Sequence, residues 1–190
     1  KHRPAFGLTD KISSLTTEDV GLIRSLAPTA DWYLDRQICK TIHGLSHALR
    51  VMIYAFILGK GRSLDSNSMS ALLLASSVHD VRRLGDKEDE GHEERAIKWL
   101  RGELSKISKI DKTIINMAIQ ILEGNSILAE ILRIADALDR YRLPKIKWWL
   151  NDNFLKVVPS DSLKSFAFEL ILKSETEILN GIDPFKAVLA

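Results

Sequence analysis

An all-α fold is what this sequence predicts, and three features predict it. Apolar residues recur at spacings of three and four along most of the chain. Small groups of Thr, Ser, Asn or Asp stand just ahead of those stretches, where helices start. Convincing alternation of apolar and polar residues is absent, and Lys156-Val157-Val158 is the only weak strand candidate.

The elements follow in order. Thr16-Thr17-Glu18-Asp19 reads as a helix start, a threonine cap with acids in the first turn; that helix runs to about Leu26 and stops before Pro28. A second helix runs from about Gly44 to Gly59. His43, His47, Arg50, Val51 and Tyr54 recur at its period, which puts His43 and His47 on one helix face. Asn67 or Ser66 caps a third, through Met69, Leu72, Leu73, Leu74 and Val78. This segment is apolar nearly all round and is expected to be the central buried helix. A polar loop follows His79-Asp80. Asp89 then caps a helix whose inner stripe is His92, Ala96, Trp99 and Leu100. Asp111 caps the next, with Ile114, Ile115, Ala118 and Ile121 inside. Ser126 or Asn125 starts the helix that carries Asp136, and Pro144 interrupts it. Trp148-Trp149 fall on a helical or irregular segment. A last helix from about Ser160 to Leu179 partly buries Leu163, Phe166, Phe168, Leu170 and Ile171.

Size and composition narrow the classes. The 190 residues suffice for one domain with a substantial core. No repeat, low-complexity tract or linker divides the chain, so residues 1–190 are expected to form a single domain. Hydrophobic residues make up 45% and charged residues 27%, as in a soluble globular protein. A net charge of +2 is too small to argue for nucleic acid by itself. One cysteine, Cys39, allows neither an internal disulfide framework nor a multi-cysteine zinc cluster, which suits a cytoplasmic location. No apolar run approaches the roughly 20 residues of a membrane span, and Lys1-His2-Arg3-Pro4 carries no signal-peptide pattern; no membrane partner is expected.

Polar clusters inside otherwise apolar helical stretches carry the chemistry. His79-Asp80 closes the most apolar helix. A neutral imidazole and a carboxylate suit divalent Mn, Fe, Co, Ni, Zn or Mg, and the negative end of a helix favours a cation. The plainer reading is a helix-ending Asp beside a His that bonds the last carbonyls. Asp136 lies among Ile131, Leu132, Ile134, Ala135 and Leu138. A carboxylate in such surroundings costs several kcal/mol unless it is paired or metal-bound; an internal salt bridge with its charged neighbours is the alternative. His43 is as easily a surface or hydrogen-bonded histidine as a ligand, whereas the other clusters support His47. Two His and two Asp give four ligands with net charge −2, leaving two positions of an octahedral ion for water and substrate. Other chemistries fit less well. Gly44-Leu45-Ser46-His47-Ala48 lacks the second glycine of a nucleophile elbow, and Gly59-Lys60-Gly61-Arg62-Ser63 has the wrong spacing for a phosphate loop.

His47-Ala48-Leu49-Arg50-Val51, His79-Asp80 and Asp136, in that order and at those separations, resemble the motif set of the HD-domain superfamily of metal-dependent phosphohydrolases. The likeness covers about residues 42–143, so the first and last helices are expected to pack on this core. The resemblance implies an HD-domain helical bundle with a central metal site. It also implies hydrolysis of a phosphomonoester or phosphodiester bond, often in a nucleotide, by metal-activated water. Carried over, His47, His79, Asp80 and Asp136 are the metal ligands, and Asp80 also orients the attacking water. His92 resembles the additional histidine many members place after the doublet. That would make it a catalytic residue that holds a second metal or bonds the phosphate, with a surface histidine as the alternative; His43 is a further candidate for the same second site. Asp139-Arg140-Tyr141-Arg142 resembles an Asp-Arg-x-Arg stretch of some members, so Arg140 or Arg142 would bind the substrate anion, with Arg50 and Arg83 beside them. Structural pairing with Glu93, Glu94 or Asp86 is the alternative.

The chain also departs from the superfamily. His79-Asp80-Val81-Arg82-Arg83-Leu84 lacks the acids of the alarmone hydrolases, and the Gly-Tyr-Pro tripeptide of the cyclic-dinucleotide phosphodiesterases is missing. No His follows His92, and Gln120-Ile121-Leu122-Glu123-Gly124-Asn125 stands where many two-metal members have one, which favours a single metal. The leading expectation is therefore a phosphohydrolase acting on a small phosphorylated substrate, a nucleotide first. A catalytically reduced HD-type module is the second. It would bind a ligand or a protein partner, and its metal would be structural; Trp148-Trp149 and the last helix could form the interface, although core packing is the more usual fate of both. Oligomerisation is compatible with either reading. A nuclease is third: Lys145-Ile146-Lys147 and Arg82-Arg83 are compatible with a polyanion but sparse.

Overall fold

The structure, a computed structural model, describes residues 15–104, 109–124, 126–144 and 149–189. Every regular element among them is helical, and Lys156, Val157 and Val158 are irregular rather than a strand. Helix α1 spans Thr17–Leu26. Thr16 accepts from the Asp19 N–H at 3.2 Å and Asp19 accepts from the Thr16 N–H at 3.0 Å, a reciprocal cap. Ala27 is extended ahead of Pro28, as the residue before a proline must be.

Helix α2 spans Leu45–Gly61 and α3 spans Ser66–Val78. The α3 cap is Asp65 rather than Asn67 or Ser66; its carboxylate accepts from the N–H groups of both Asn67 and Ser68, and an anion suits the positive helix end better than an amide. Helix α4, His92–Trp99, runs straight into a π-helical turn, Leu100–Leu104. Its cap is Gly91, not Asp89. The Asp89 carboxylate is engaged by the Leu84 N–H at 2.8 Å and by Arg95, so it ties the polar loop to α4.

Asp111 caps α5, Lys112–Leu122, and Ser126 caps α6, Ile127–Leu138. Pro144 does not break α6. The chain leaves it earlier, through a 3-10 turn at Asp139–Arg142. Helix α7 spans Asp161–Leu179 behind a Ser160 cap. A further helix the periodicity did not announce, α8, spans Pro184–Leu189; Gly181, at φ 86°, makes the left-handed turn between the two. Asn125, Lys145, Ile146, Lys147 and Trp148 lie outside the described residues.

Helix α3 is central, as its composition demands. It packs against α1, α2, α5 and α6, and Leu72, Leu73, Leu74 and Val78 are fully buried. Helix α2 lies between α3, α6 and α8. Helix α7 covers α2 and the 139–142 turn, with Phe168 against Tyr141 and Trp149. Trp149 is buried and donates its Nε1–H to the Leu143 carbonyl at 2.8 Å, so it serves the core rather than an interface. Buried apolar side chains form one cluster from Ile23 to Val188. No helix among the described residues is long and apolar enough to cross a membrane. This packing brings the start of α2, the end of α3 and the end of α6 to one place.

Candidate metal centre

Local geometry sets up each donor. His47 lies in the first turn of α2, and Arg50 is one turn further along. That start is fixed by Gly44, where an added Cβ would stand 2.2 Å from the Cys39 carbonyl oxygen. His43 therefore precedes the helix instead of sharing its face with His47. It sits in a tight turn closed by the Gly44 N–H to the Thr41 carbonyl at 2.9 Å. His79 continues the α3 ladder through its N–H to the Ala75 carbonyl, and Asp80 follows in the turn at the negative helix end. Asp136 occupies the last turn of α6, and Asp139 lies one turn beyond it.

Four donor atoms converge. His47 Nε2 is 3.1 Å from His79 Nε2, 3.4 Å from Asp80 Oδ2 and 3.5 Å from Asp136 Oδ1. His79 Nε2 is 3.8 Å from Asp80 Oδ2 and 3.7 Å from Asp136 Oδ1. Metal–ligand bonds of about 2.1 Å give ligand–ligand edges of about 3.0 Å in an octahedron and about 3.4 Å in a tetrahedron. The three separations from His47 Nε2 fall at or near such edges, and those from His79 Nε2 to the carboxylates are a few tenths of an ångström longer. His47, His79 and Asp136, and separately His43, His47 and Asp80, each form a group able to hold a metal ion.

Hydrogen bonding on the far side of each ring says what the near side offers. His79 Nδ1 is 2.7 Å from the Ser76 carbonyl oxygen, which can only accept, so Nδ1 carries the hydrogen. His47 Nδ1 donates in the same way to Asp139 Oδ2 at 2.8 Å. Both neutral rings then turn Nε2 lone pairs toward each other and toward two carboxylates. Such an arrangement repels itself unless a cation, a metal or a proton, sits among its members.

The electrostatics tell the same story. Burial works to lower the His79 pKa, but the Asp80 and Asp136 carboxylates outweigh it and raise it to about 9. Burial works to raise Asp80, yet His79, His43 and His47 hold it well below the usual carboxylate range. Asp136 is likewise held down against burial, chiefly by its pairing with His79. Its side chain is 45% accessible, so that pairing is partly screened, and Asp136 marks the side on which the cluster meets solvent.

The remaining predicted residues divide. His43 Nδ1 lies 2.6 Å from Asp80 Oδ2, a charge-assisted hydrogen-bond length, and burial lowers its pKa against that pairing. His92 Nδ1 donates to the Asp89 carbonyl, and its Nε2 faces Asp80 Oδ1 at 3.3 Å. All four described histidines thus surround one carboxylate. The arginines do not line up as a substrate clamp. Arg50 is fully buried; its guanidinium donates to Asp139 at 2.6 and 3.2 Å, to Ser174 Oγ at 3.2 Å and to Glu175 at 2.6 Å, so it is a structural ion pair and not a substrate contact. Arg83 is spent on Asp80 Oδ1 and on the carbonyls of Gly85 and Lys87, which folds the polar loop over the site. Arg142 donates to the carbonyls of Ile42 and Asp139 and pairs with the Asp139 carboxylate at 3.4 Å, not with Glu93, Glu94 or Asp86. Arg140 is exposed on the 139–142 turn.

Asp139 stands in a motif stretch but is assigned no role there. Burial opposes its charge, but Arg50, His47 and Arg142 bring its pKa down to about 2. A signal existed: Asp139 stands one turn beyond Asp136, a charged residue directly after the largely apolar run Ile131–Leu138. Compared with protein-family models, curated proteins and solved structures, the chain matches none.

Proposed function

We propose that this protein is a metal-dependent phosphohydrolase of the HD-domain type that cleaves a phosphomonoester or phosphodiester bond in a small substrate, a nucleotide first among candidates. One observation carries the reading: the Nε2 lone pairs of His47 and His79, 3.1 Å apart, converge with the Asp80 and Asp136 carboxylates at a place open to solvent on one side. These four residues would hold the ion. A bound divalent cation supplies Lewis-acid polarisation of a phosphoryl oxygen and acidifies water.

The chain supplies the rest. Asp80 accepts from His43 at Oδ2, while its Oδ1 accepts from Arg83 at 3.3 Å and faces His92 Nε2 at 3.3 Å, so Asp80 orients the attacking water and directs its proton toward His92. His92 sits at the rim with Nε2 directed inward, in place to hold that proton beside a leaving oxygen. With Arg50, Arg83 and Arg142 already engaged, anion recognition falls chiefly to the cation, with His92 beside it. The tests are metal content and turnover. Protein loaded with Mn, Co, Ni or Mg should cleave a nucleotide or a generic phosphodiester, and His79→Ala and Asp80→Ala proteins should not. No cleavage by the loaded wild type across such a panel rules the reading out.

The engagement of Arg50, Arg83 and Arg142 by protein groups favours a second reading, a catalytically reduced module whose metal is structural. It expects ligand substitutions to lower the melting temperature while ligand or partner binding persists.

A further inference from the structure

Asp139 makes no contact with any space a substrate could enter, yet its fully buried carboxylate is shared. Oδ2 accepts from His47 Nδ1 at 2.8 Å and from Arg50 at 3.2 Å, and Oδ1 accepts from Arg50 Nε at 2.6 Å. Arg50 cannot swing away, because Ser174 Oγ and Glu175 on α7 hold its other amino group. We propose that Asp139 is a positioning residue that fixes His47 in its Nδ1–H form and so keeps Nε2 free of hydrogen and aimed at the metal centre. Its effect on metal affinity rests on the metal-centre reading above; its effect on the ring does not.

The argument is one of matching donors to acceptors. A free imidazole carries its hydrogen on either nitrogen. A carboxylate beside Nδ1 accepts only, so the hydrogen stays there. Arg50, pinned from α7, keeps that carboxylate charged and in register. A chain of contacts thus runs from Glu175, whose side chain is 43% exposed, through Arg50 and Asp139 to His47. Helix α7 acts in this way on a metal ligand that is remote in sequence.

Asp139→Asn separates charge from shape. The amide has one oxygen. Turned toward Arg50 Nε it keeps the shorter, 2.6 Å bond, gives up the longer contacts of Oδ2 with Arg50 at 3.2 Å and Arg142 at 3.4 Å, and leaves its NH2 facing His47 Nδ1. The opposite orientation sets NH2 against Arg50 Nε–H at the 2.6 Å position, the closer and stronger repulsion. His47 must then accept at Nδ1 and move its hydrogen to Nε2, the atom a metal needs.

The experiment uses the metal-free full chain and long-range proton–nitrogen NMR correlations of the histidine rings, at about pH 8, above the ordinary imidazole range. Wild-type His47 should show the Nδ1–H pattern and Asp139→Asn the Nε2–H pattern. Calorimetric titration with Co²⁺ should show a 10–100-fold weaker affinity in the variant, the usual cost of losing such a partner. Wild-type His47 carrying its hydrogen on Nε2, or an Asp139→Asn protein with Nδ1–H and unchanged Co²⁺ affinity, overturns the proposal. Should the variant fail to fold, the wild-type ring pattern alone decides. Wild type that shows Nδ1–H but binds no Co²⁺ refutes the metal reading and leaves the positioning role standing.

Discussion

His47 Nε2 and His79 Nε2 face each other at 3.1 Å, and neither receives a hydrogen from its own neutral ring, because each Nδ1–H is committed elsewhere. Two nitrogen lone pairs at hydrogen-bond distance, flanked by two carboxylates, form a socket for positive charge. Three expectations follow from that geometry and from the ion pairs that support it.

Metal should stabilise the fold through this socket. A cation at about one hundred times its dissociation constant adds about 2.7 kcal/mol to stability. Thermal denaturation with and without Co²⁺ or Mn²⁺ should show an upward shift that chelator reverses. His47→Ala and His79→Ala proteins should show none. A full shift in either variant places the ion elsewhere.

Proton and metal should compete at His79. Its folded pKa, raised to about 9, lies above the ordinary value, so in the metal-free protein its contribution to stability is complete below about pH 6.5 and fades as pH rises through about 9. Metal affinity should run the opposite way, climbing about tenfold per pH unit across that window and levelling above it. The depressed carboxylates of Asp80 and Asp136 add stability above about pH 4 that is lost on acidification. Calorimetric titrations at several pH values would show the slope; a flat profile contradicts the assignment of His79 as ligand.

Arg50 should matter for folding rather than substrate affinity. Its removal leaves the Asp139 carboxylate buried with only Arg142 and His47 to balance it. Arg50→Ala is expected to cost about 3–5 kcal/mol, the range for breaking one side of a buried pair. Denaturant unfolding measures this. A stable variant with weakened substrate binding would return Arg50 to the substrate side.

The helices were legible because their periods and caps are local: Thr16, Asp111, Ser126 and Ser160 start theirs as expected. The metal-site candidates were legible because His and Asp stand out in apolar helices, and His47, His79, Asp80 and Asp136 do come together. His43 was misplaced on α2 because the close approach of Gly44 to Cys39 belongs to a turn, not to a period. Arg50 was misread because it finds its partners 89 and 125 positions away.

By itself the sequence determined which segments are helical, which helix lies in the middle and which side chains are too polar for their surroundings. Those properties depend on neighbours within a few turns. Only the tertiary structure decided that Arg50 and Arg142 serve Asp139, that Asp139 serves His47, and that Asp80 gathers four histidines. Ion pairs and ring tautomers depend on which groups remain without water once the helices have docked, and that is settled by packing rather than by order along the chain.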